Sequence, residues 1–276
     1  MKPPQKAEQF LQARPRSLCE SAGIAHLRFS LCAPTMPIQR PGLKLNLPPL
    51  NMGAPAASAP AQSSADHLRA NMEGLRQQLR AMPPADFREA QHAPDYAGMR
   101  QSGFACMSHG FMVSSGGQDV FMHARREQAQ NQGEFAGDKF HLSVQRDLVP
   151  QAFQALSGLL FSESSPIDKW KVTDMARVEP EARVGAGAQL TLYVKPDGAD
   201  SHYSAQGLSQ VRQFVERLET TLAEHGIEPG QHPESDVRPE HWRYASYRNE
   251  LRSGREGGDA QSQALREEPF YRLMTE

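Results

Sequence analysis

Cationic side chains stand beside apolar ones in two short stretches that could do chemistry. Residues 137–141 read Gly-Asp-Lys-Phe-His, and residues 168–171 read Asp-Lys-Trp-Lys. Single arginines follow at Arg183, Arg248 and Arg255. Lysine, histidine and arginine suit a polyanionic substrate group, because all three donate hydrogen bonds and are positively charged when protonated. If that anion also departs in the reaction, these residue types indicate the elimination of phosphate.

Lys139 and His141 are predicted to share one face of a strand, since polar and apolar side chains alternate around them. Two such residues lie roughly 6–7 Å apart at their Cα atoms. Residues 189–195 alternate in the same way and place Tyr193 and Lys195 on one face. Such polar faces form a cationic cleft if they are concave, and otherwise they are the solvated faces of ordinary strands. The spacing alone does not decide between these interpretations.

Lys171 is the candidate general base. It follows Trp170 and has other cationic residues nearby in the sequence. Crowding by like charges and partial burial both disfavour an ammonium ion, so such a lysine loses its proton more easily and can accept one from a substrate. The alternative is a lysine with its stem on an apolar surface and its head in water. Without further information this second interpretation is favoured.

The arginines also have an ordinary interpretation, since Arg125, Arg183, Arg248 and Arg255 could each lie on the surface. Residues 247–258 are more informative, because glycines follow a cation-rich stretch there. A turn at these glycines would return Arg255 toward Arg248. One arginine side chain can bind two phosphate oxygens at once through two parallel N–H groups.

Two other ways of acting on a phosphate have little support in the sequence. A thiol phosphatase needs an arginine six positions after its cysteine, and the three cysteines have Ala25, Ile38 and Met112 at that position. A metallophosphatase needs clustered Asp and His ligands, and no second cluster accompanies residues 137–141. The sequence therefore predicts a site with no metal and no cofactor.

The overall composition argues against two classes of partner. The chain has 276 residues and a formal net charge of −2, so its charge does not predict binding to nucleic acid or to an anionic membrane. No apolar run reaches the roughly 18 residues of a membrane span, and the N-terminus lacks the apolar core of a secretory signal peptide. Export by a route that does not read such a signal remains open.

The chain is predicted to divide into a flexible segment, residues 1–65, and one compact domain, residues 66–276. The first segment is rich in Pro, Ala, Ser and Gln, which cannot bury enough apolar surface to offset the loss of chain entropy. In the domain, strands and helices mix without a regular alternation. This favours an α+β fold with an antiparallel-rich sheet.

Within the domain, apolar residues at helical spacing predict helices that begin near Ser64, at Pro150 and near Ser204. Two apolar-rich runs, residues 104–113 and 118–124, predict a single hairpin around a turn between them.

From Met36 to Glu276 the chain resembles the phosphothreonine lyases, which are bacterial effectors injected into host cells by type III secretion. The matching stretches are residues 94–104, 135–141, 168–175, 247–255 and 266–276. The resemblance implies removal of phosphate from phosphothreonine in the Thr-x-Tyr activation loop of host MAP kinases by β-elimination, which leaves dehydrobutyrine. It also implies delivery by the type III secretion machinery into the host cell, to its cytoplasm or nucleus.

The resemblance implies a role for each matching site residue. Lys171 corresponds to the general base that takes the Cα proton, and His141 to the general acid that protonates the departing oxygen. The residues implied to clamp the phosphate are Lys139, Arg183, Arg248 and Arg125. The residues implied to support the site are Tyr193, Asp236, Arg255, Lys195, Phe121 and Phe135. Among these, Lys195 is implied to face a second phosphate, on the tyrosine of the loop. Phe121 and Phe135 are implied to form apolar walls of the substrate cleft.

Residues 39–47 form a second feature, independent of the site. A basic residue precedes three leucines at alternate positions, and these residues are Arg40, Leu43, Leu45 and Leu47. This pattern suits a kinase docking groove in which an acidic patch adjoins small apolar pockets, although leucines can occur in this spacing by chance. With the resemblance, the segment is interpreted as a docking motif.

Two other functions remain as alternatives to the lyase. A non-catalytic module that binds the phosphopeptide and sequesters the kinase would use the same arginines and docking motif. Only the enzyme needs Lys171 and His141. A hydrolytic phosphatase is disfavoured, because its nucleophile and its metal ligands are missing from the sequence.

Overall fold

The computed structural model describes residues 63–179 and 181–276. Residues 1–62 of the predicted flexible segment, including the docking motif at residues 39–47, lie outside these residues, whereas Ser64 and Ala65 belong to the first helix. No helix in the described part of the chain is long and apolar enough to cross a membrane.

The described residues contain both helices and strands. The helices are α1 Ser64–Ala81, α2 Tyr96–Gln101, α3 Val149–Leu160, α4 Arg183–Ala186, α5 Ala205–Glu224, α6 Asp259–Arg266 and α7 Pro269–Thr275. The strands are β1 Cys106–Ser108, β2 Phe111–Ser114, β3 Phe121–Arg126, β4 Asp138–Leu142, β5 Lys169–Thr173, β6 Leu190–Tyr193 and β7 Ala245–Asn249.

The strands form one sheet in the order β1-β2-β3-β5-β6-β4-β7. Every neighbouring pair is antiparallel. The predicted α+β fold with an antiparallel-rich sheet is therefore confirmed. Because β5 and β6 lie between β3 and β4, strands that follow each other in the sequence are separated in space.

One face of the sheet packs against the helices to form the core. Alternate residues of the central strands, such as Phe140, Trp170, Leu192 and Tyr247, point into this core and are fully buried. Fully burying a large apolar side chain stabilises a fold by about 1.5–3 kcal/mol. The residues between them point to the opposite face, which carries the candidate site.

The predicted helices are confirmed, and each begins at a residue that favours a helix start. The side chain of Ser63 accepts a hydrogen bond from the backbone of Asp66, and Ser204 does the same for Gly207, which satisfies backbone donors that a helix leaves unpaired. Pro150 lies in the first turn of α3, where its missing N–H costs nothing.

The single predicted hairpin is wrong in one respect. The turn between β2 and β3 forms as expected, but residues 104–113 do not make one strand. The chain reverses at His109 and Gly110, whose φ angles are 49° and 74°, and Ser108 pairs with Phe111 across this turn. Two consecutive positive φ angles characterise the tight hairpin turn that matches strand twist. The predicted hairpin did not include a turn at this His-Gly pair.

Candidate active site

The register of the sheet aligns the candidate residues in two rows on the face opposite the core. The first row, from β3 through β5, β6 and β4 to β7, consists of Arg125, Lys169, Tyr193, Lys139 and Arg248. The second row, in the same order, consists of His123, Lys171, Thr191, His141 and Ser246. Residues paired across strands project from one face. The predicted sharing of a face by Lys139 and His141 is therefore present in the structure.

Lys171 and His141 lie in the same row with one strand, β6, between them. Neighbouring strands are about 4.8 Å apart, so the two backbones are separated by roughly 10 Å. Both side chains extend from the same face of the sheet. A reacting group that lies above β6 is therefore within reach of both residues.

Lys171 has the character expected of a general base. Its Nζ lies 3.6 Å from the centre of the Phe121 ring. Burial, followed by the charge of Lys139, lowers the pKa of Lys171 to about 8, against the opposing charges of Asp119 and Glu250. At pH 7 roughly a tenth of this amine is neutral and able to accept a proton, far more than for an ordinary lysine.

His141 is buried and oriented by a carboxylate. Its Nδ1 lies 2.6 Å from Oδ2 of Asp236, whose other oxygen accepts a hydrogen bond from the hydroxyl of Ser235. Burial raises the pKa of Asp236, but hydrogen bonds from His141, Ser246 and Ser235 together lower it below its usual value. The carboxylate therefore accepts from Nδ1, which leaves Nε2 to face a substrate.

The charge state of His141 depends on its neighbours. Burial lowers the pKa of this histidine, and the hydrogen bond and charge of Asp236 oppose that effect. A phosphate dianion beside the ring would add a second opposing charge and favour the protonated acid.

Three of the four residues predicted to clamp the phosphate, Lys139, Arg183 and Arg248, lie together at the β4–β7 side of the sheet. Lys139 and Arg248 are paired across these strands, and both are buried. Burial, followed by the charges of Arg183 and Arg255 against that of Asp236, lowers the pKa of Arg248. Arg183 and Arg255 also line one cavity of about 270 Å³. Four cationic side chains thus converge here.

The structure does not bring Arg125 into this group. It lies three strand spacings, roughly 14 Å, from Lys139 and is exposed at the β3 side of the same face. Both side chains are long and extend from the same face, so the backbone separation alone does not keep them from contacting one phosphate. Arg125 belongs to the opposite end of the first row.

The predicted supporting residues lie in the two rows of site residues or next to them. The rings of Phe135 and Tyr193 meet edge to face at 5.7 Å, and burial, followed by the charges of Glu250 and Asp119, raises the pKa of Tyr193 to about 12. The phenol therefore stays protonated and can donate a hydrogen bond. Lys195 extends the same strand face and donates to the backbone oxygen of Asn131 at 3.2 Å.

Comparison with known proteins identifies the family. The family model described as OspF/SpvC matches residues 37–276. The chain belongs to this family. It is 64% identical over 241 residues to the MAPK phosphothreonine lyase of Salmonella typhimurium, which covers 87% of this chain and all of that protein. It is 54% identical over 242 residues to the phosphothreonine lyase OspF of Shigella flexneri, with 87% of this chain and 100% of that protein covered.

Solved structures of OspF/SpvC proteins have the same fold. The phosphothreonine lyase effector VirA (SpvC) of Chromobacterium violaceum is similar with a TM-score of 0.76 at 66% identity, over 77% of this chain and 99% of that one. OspF from Shigella flexneri gives a TM-score of 0.68 at 53% identity, over 76% of this chain and 100% of that one. The predicted family membership and the predicted activity, a phosphothreonine lyase, are confirmed.

Several polar residues of this OspF/SpvC site were not among the residues predicted from the sequence. Each contacts a residue that had been predicted. These residues are Glu250, which pairs with Lys139, Ser253, which accepts from Arg248, and Ser235 and Ser246, which donate to Asp236. The glutamate and one serine lie within residues 247–258, but only the cations of that stretch were considered. Serines carry no distinguishing pattern in the sequence.

One further network holds the β4 and β7 strands in place. The buried carboxylate of Asp138 accepts hydrogen bonds from the hydroxyls of Tyr203 and Tyr247 and from the amide of Asn249. Asp138 directly precedes Lys139, so this network fixes the strand position from which the lysine projects. Among the described residues no group of three His, Cys, Asp or Glu side chains could hold a metal ion.

Proposed function

We propose that this chain eliminates phosphate from the phosphothreonine of host MAP kinase activation loops, with Lys171 as base and His141 as acid. The observation that carries this assignment is their placement in one row of the sheet face, with the clamp beside them. The OspF/SpvC relative in Salmonella typhimurium is named a MAPK phosphothreonine lyase, which supports the kinase as substrate.

The reaction follows from these roles. Neutral Lys171 takes the Cα proton of the phosphothreonine, and the electron pair of that C–H bond forms the Cα–Cβ double bond. The Cβ–O bond breaks, and Nε2 of protonated His141 gives its proton to the departing phosphate oxygen. The products are dehydrobutyrine and inorganic phosphate. Because the hydroxyl leaves with the phosphate, a kinase cannot phosphorylate the residue again.

The clamp contributes to both binding and chemistry. Lys139, Arg183 and Arg248 neutralise the phosphate and stabilise the negative charge that grows on it as the C–O bond breaks. The charge of Lys139 also lowers the pKa of Lys171. The same cation therefore holds the leaving group and keeps the base able to accept a proton.

The second phosphate of a Thr-x-Tyr loop is assigned to Lys195. Threonine and tyrosine are two residues apart in such a loop, which is roughly 6–7 Å in an extended chain. Lys195 is also two residues beyond Tyr193 on one strand face. Arg125, at the other end of the row, is proposed to approach the threonine phosphate from the β3 side.

We further infer that the described domain acts after delivery into a host cell by type III secretion, in the cytoplasm or the nucleus. The Chromobacterium violaceum relative is described as an effector protein and the Shigella flexneri one as a type III effector. Residues 39–47 are proposed to dock the kinase.

Mass spectrometry of a treated phosphothreonine peptide tests the proposed reaction. Elimination gives a product that is one water lighter than the product of hydrolysis, and simple binding leaves the mass of the peptide unchanged. We expect the lighter product. A product with an intact threonine would show a hydrolytic phosphatase, and an unchanged peptide would show the non-catalytic module.

A further inference from the structure

Glu250 is the carboxylate that pairs with the phosphate-binding lysine. It follows β7 directly, and its backbone N–H donates to the backbone oxygen of Gly137 at 2.7 Å. Its Oε2 lies 2.8 Å from Nζ of Lys139, whose side chain is 10% exposed while that of Glu250 is 44% exposed. The ammonium that a substrate phosphate needs is therefore already bound to an anion.

The influence of Glu250 extends beyond this pair. Burial raises the pKa of Glu250, but the hydrogen bond and charge of Lys139, followed by the charges of Lys171 and Arg248, lower it below its usual value. The carboxylate is thus ionised at neutral pH. In return, its negative charge raises the pKa of Lys171, in opposition to burial and Lys139.

We propose that Glu250 is a positioning residue that holds Lys139 in the empty site and yields it to the substrate phosphate. This role rests on the proposed function, because it assumes that Lys139 binds phosphate there. A buried ammonium without a partner tends to lose its charge or its orientation. Glu250 supplies that partner from the solvent side, where a phosphate dianion can replace it.

The replacement has a consequence for affinity. The carboxylate and the phosphate compete for one ammonium, so every phosphate that binds must displace Glu250 or share Lys139 with it. This competition weakens the binding of substrate and of the phosphate product alike. Weaker product binding favours release of phosphate after each turnover.

A second consequence concerns pH. The negative charge of Glu250 favours protonated Lys171, so removal of this charge lowers the pKa of Lys171 as long as Lys139 keeps its own charge. The neutral base is then present at lower pH, and the acidic limb of the rate profile moves in the acid direction.

The test compares Glu250→Gln with Glu267→Gln in the full chain. Glu267 is exposed at the end of α6 and accepts a hydrogen bond from Gln263, so its substitution changes the net charge by the same amount away from the site. Titration calorimetry measures the affinity for inorganic phosphate, and steady-state assays with a short phosphothreonine peptide give kcat/KM across the pH range.

For Glu250→Gln we expect phosphate to bind roughly three- to tenfold more tightly, as for the loss of a partly exposed charged competitor. The midpoint of the acidic limb should fall, whereas Glu267→Gln should resemble the wild type in both measurements. Phosphate affinity that stays equal or weakens in Glu250→Gln would overturn the proposal, whatever the position of the midpoint.

A second variant tests the proposal if Glu250→Gln does not fold. Glu250→Asp keeps the charge but shortens the side chain, so it should bind phosphate more tightly than wild type while its midpoint stays closer to wild type than that of Glu250→Gln. If Glu250→Gln does not fold, unchanged or weaker phosphate affinity of the aspartate variant overturns the proposal. Calorimetry measures the binding of phosphate without turnover. A failure of the proposed lyase reaction would therefore be distinguished from a failure of the proposed role of Glu250.

Discussion

At the scale of single residues, the proposed mechanism separates the base, Lys171, from the groups proposed to bind phosphate. The base acts only on the Cα proton, so Lys171→Ala should lower kcat by about a thousandfold, within the range for general base catalysis, and leave phosphopeptide affinity nearly unchanged. In the wild type, kcat/KM should rise with pH through the pKa of about 8, since the amine must be neutral to act. Rapid-quench assays and calorimetry measure the two effects.

Lys169→Ala provides the matched control for this prediction. Lys169 belongs to the same strand and face, but its Nζ lies over the Tyr193 ring at 4.7 Å. It has no assigned part in the proton transfer, so Lys169→Ala should keep kcat close to that of the wild type. The charge of Lys169 lowers the pKa of Lys171, so its removal should move the acidic limb of the profile toward higher pH. Near-normal turnover by Lys171→Ala would remove the lysine from the mechanism.

At the scale of elements, the site depends on the pairing of β4 with β7. Asp138 binds Tyr203, Tyr247 and Asn249 in the interior, so Asp138→Ala leaves three buried donors without their acceptor. We expect a loss of roughly 3 kcal/mol or more in the free energy of unfolding. A lower kcat/KM should accompany it, since Lys139 is the next residue of β4.

Chemical denaturation measures this loss, with Asp86→Ala as the control. Asp86 is exposed and pairs with Arg88 on the surface, where an ion pair contributes about 0–1 kcal/mol. Equal stability of the two variants would show that the Asp138 network does not hold the strands together.

At the scale of the whole molecule, residues 39–47 are proposed to bind the kinase while the described domain acts on its activation loop. Such tethering raises the effective concentration of the loop at the site. The double change Leu45→Ala, Leu47→Ala should therefore lower kcat/KM on the folded, phosphorylated kinase by about tenfold or more. It should leave kcat/KM on a short phosphothreonine peptide unchanged, because the peptide has no docking groove.

The matched control changes two leucines outside the family match, Leu27→Ala and Leu31→Ala. This variant should have the same kcat/KM as the wild type on both substrates in steady-state assays. Equal losses on kinase and peptide for the Leu45, Leu47 variant would mean that these leucines support the fold, and the docking motif would have to be abandoned.

Local patterns were sufficient to predict much of the fold. Alternation predicted strands at Lys139 and Tyr193, and helical spacing with capping residues predicted α1, α3 and α5. These signals depend on neighbours within a few residues, so they are visible in the sequence. The turn at His109 and Gly110 is local too, but it is short and was overlooked.

The sequence by itself determined the family, the residue types of the site and the alternation that places Lys139 beside His141. Only the tertiary structure decided how distant stretches meet. The insertion of β5 and β6 between β3 and β4 puts Lys171 in the row of His141 and leaves Arg125 far from the clamp. The pairing of β4 with β7 brings Glu250 to Lys139. Strand order and register arise from packing between residues far apart in the chain, and no local pattern encodes them.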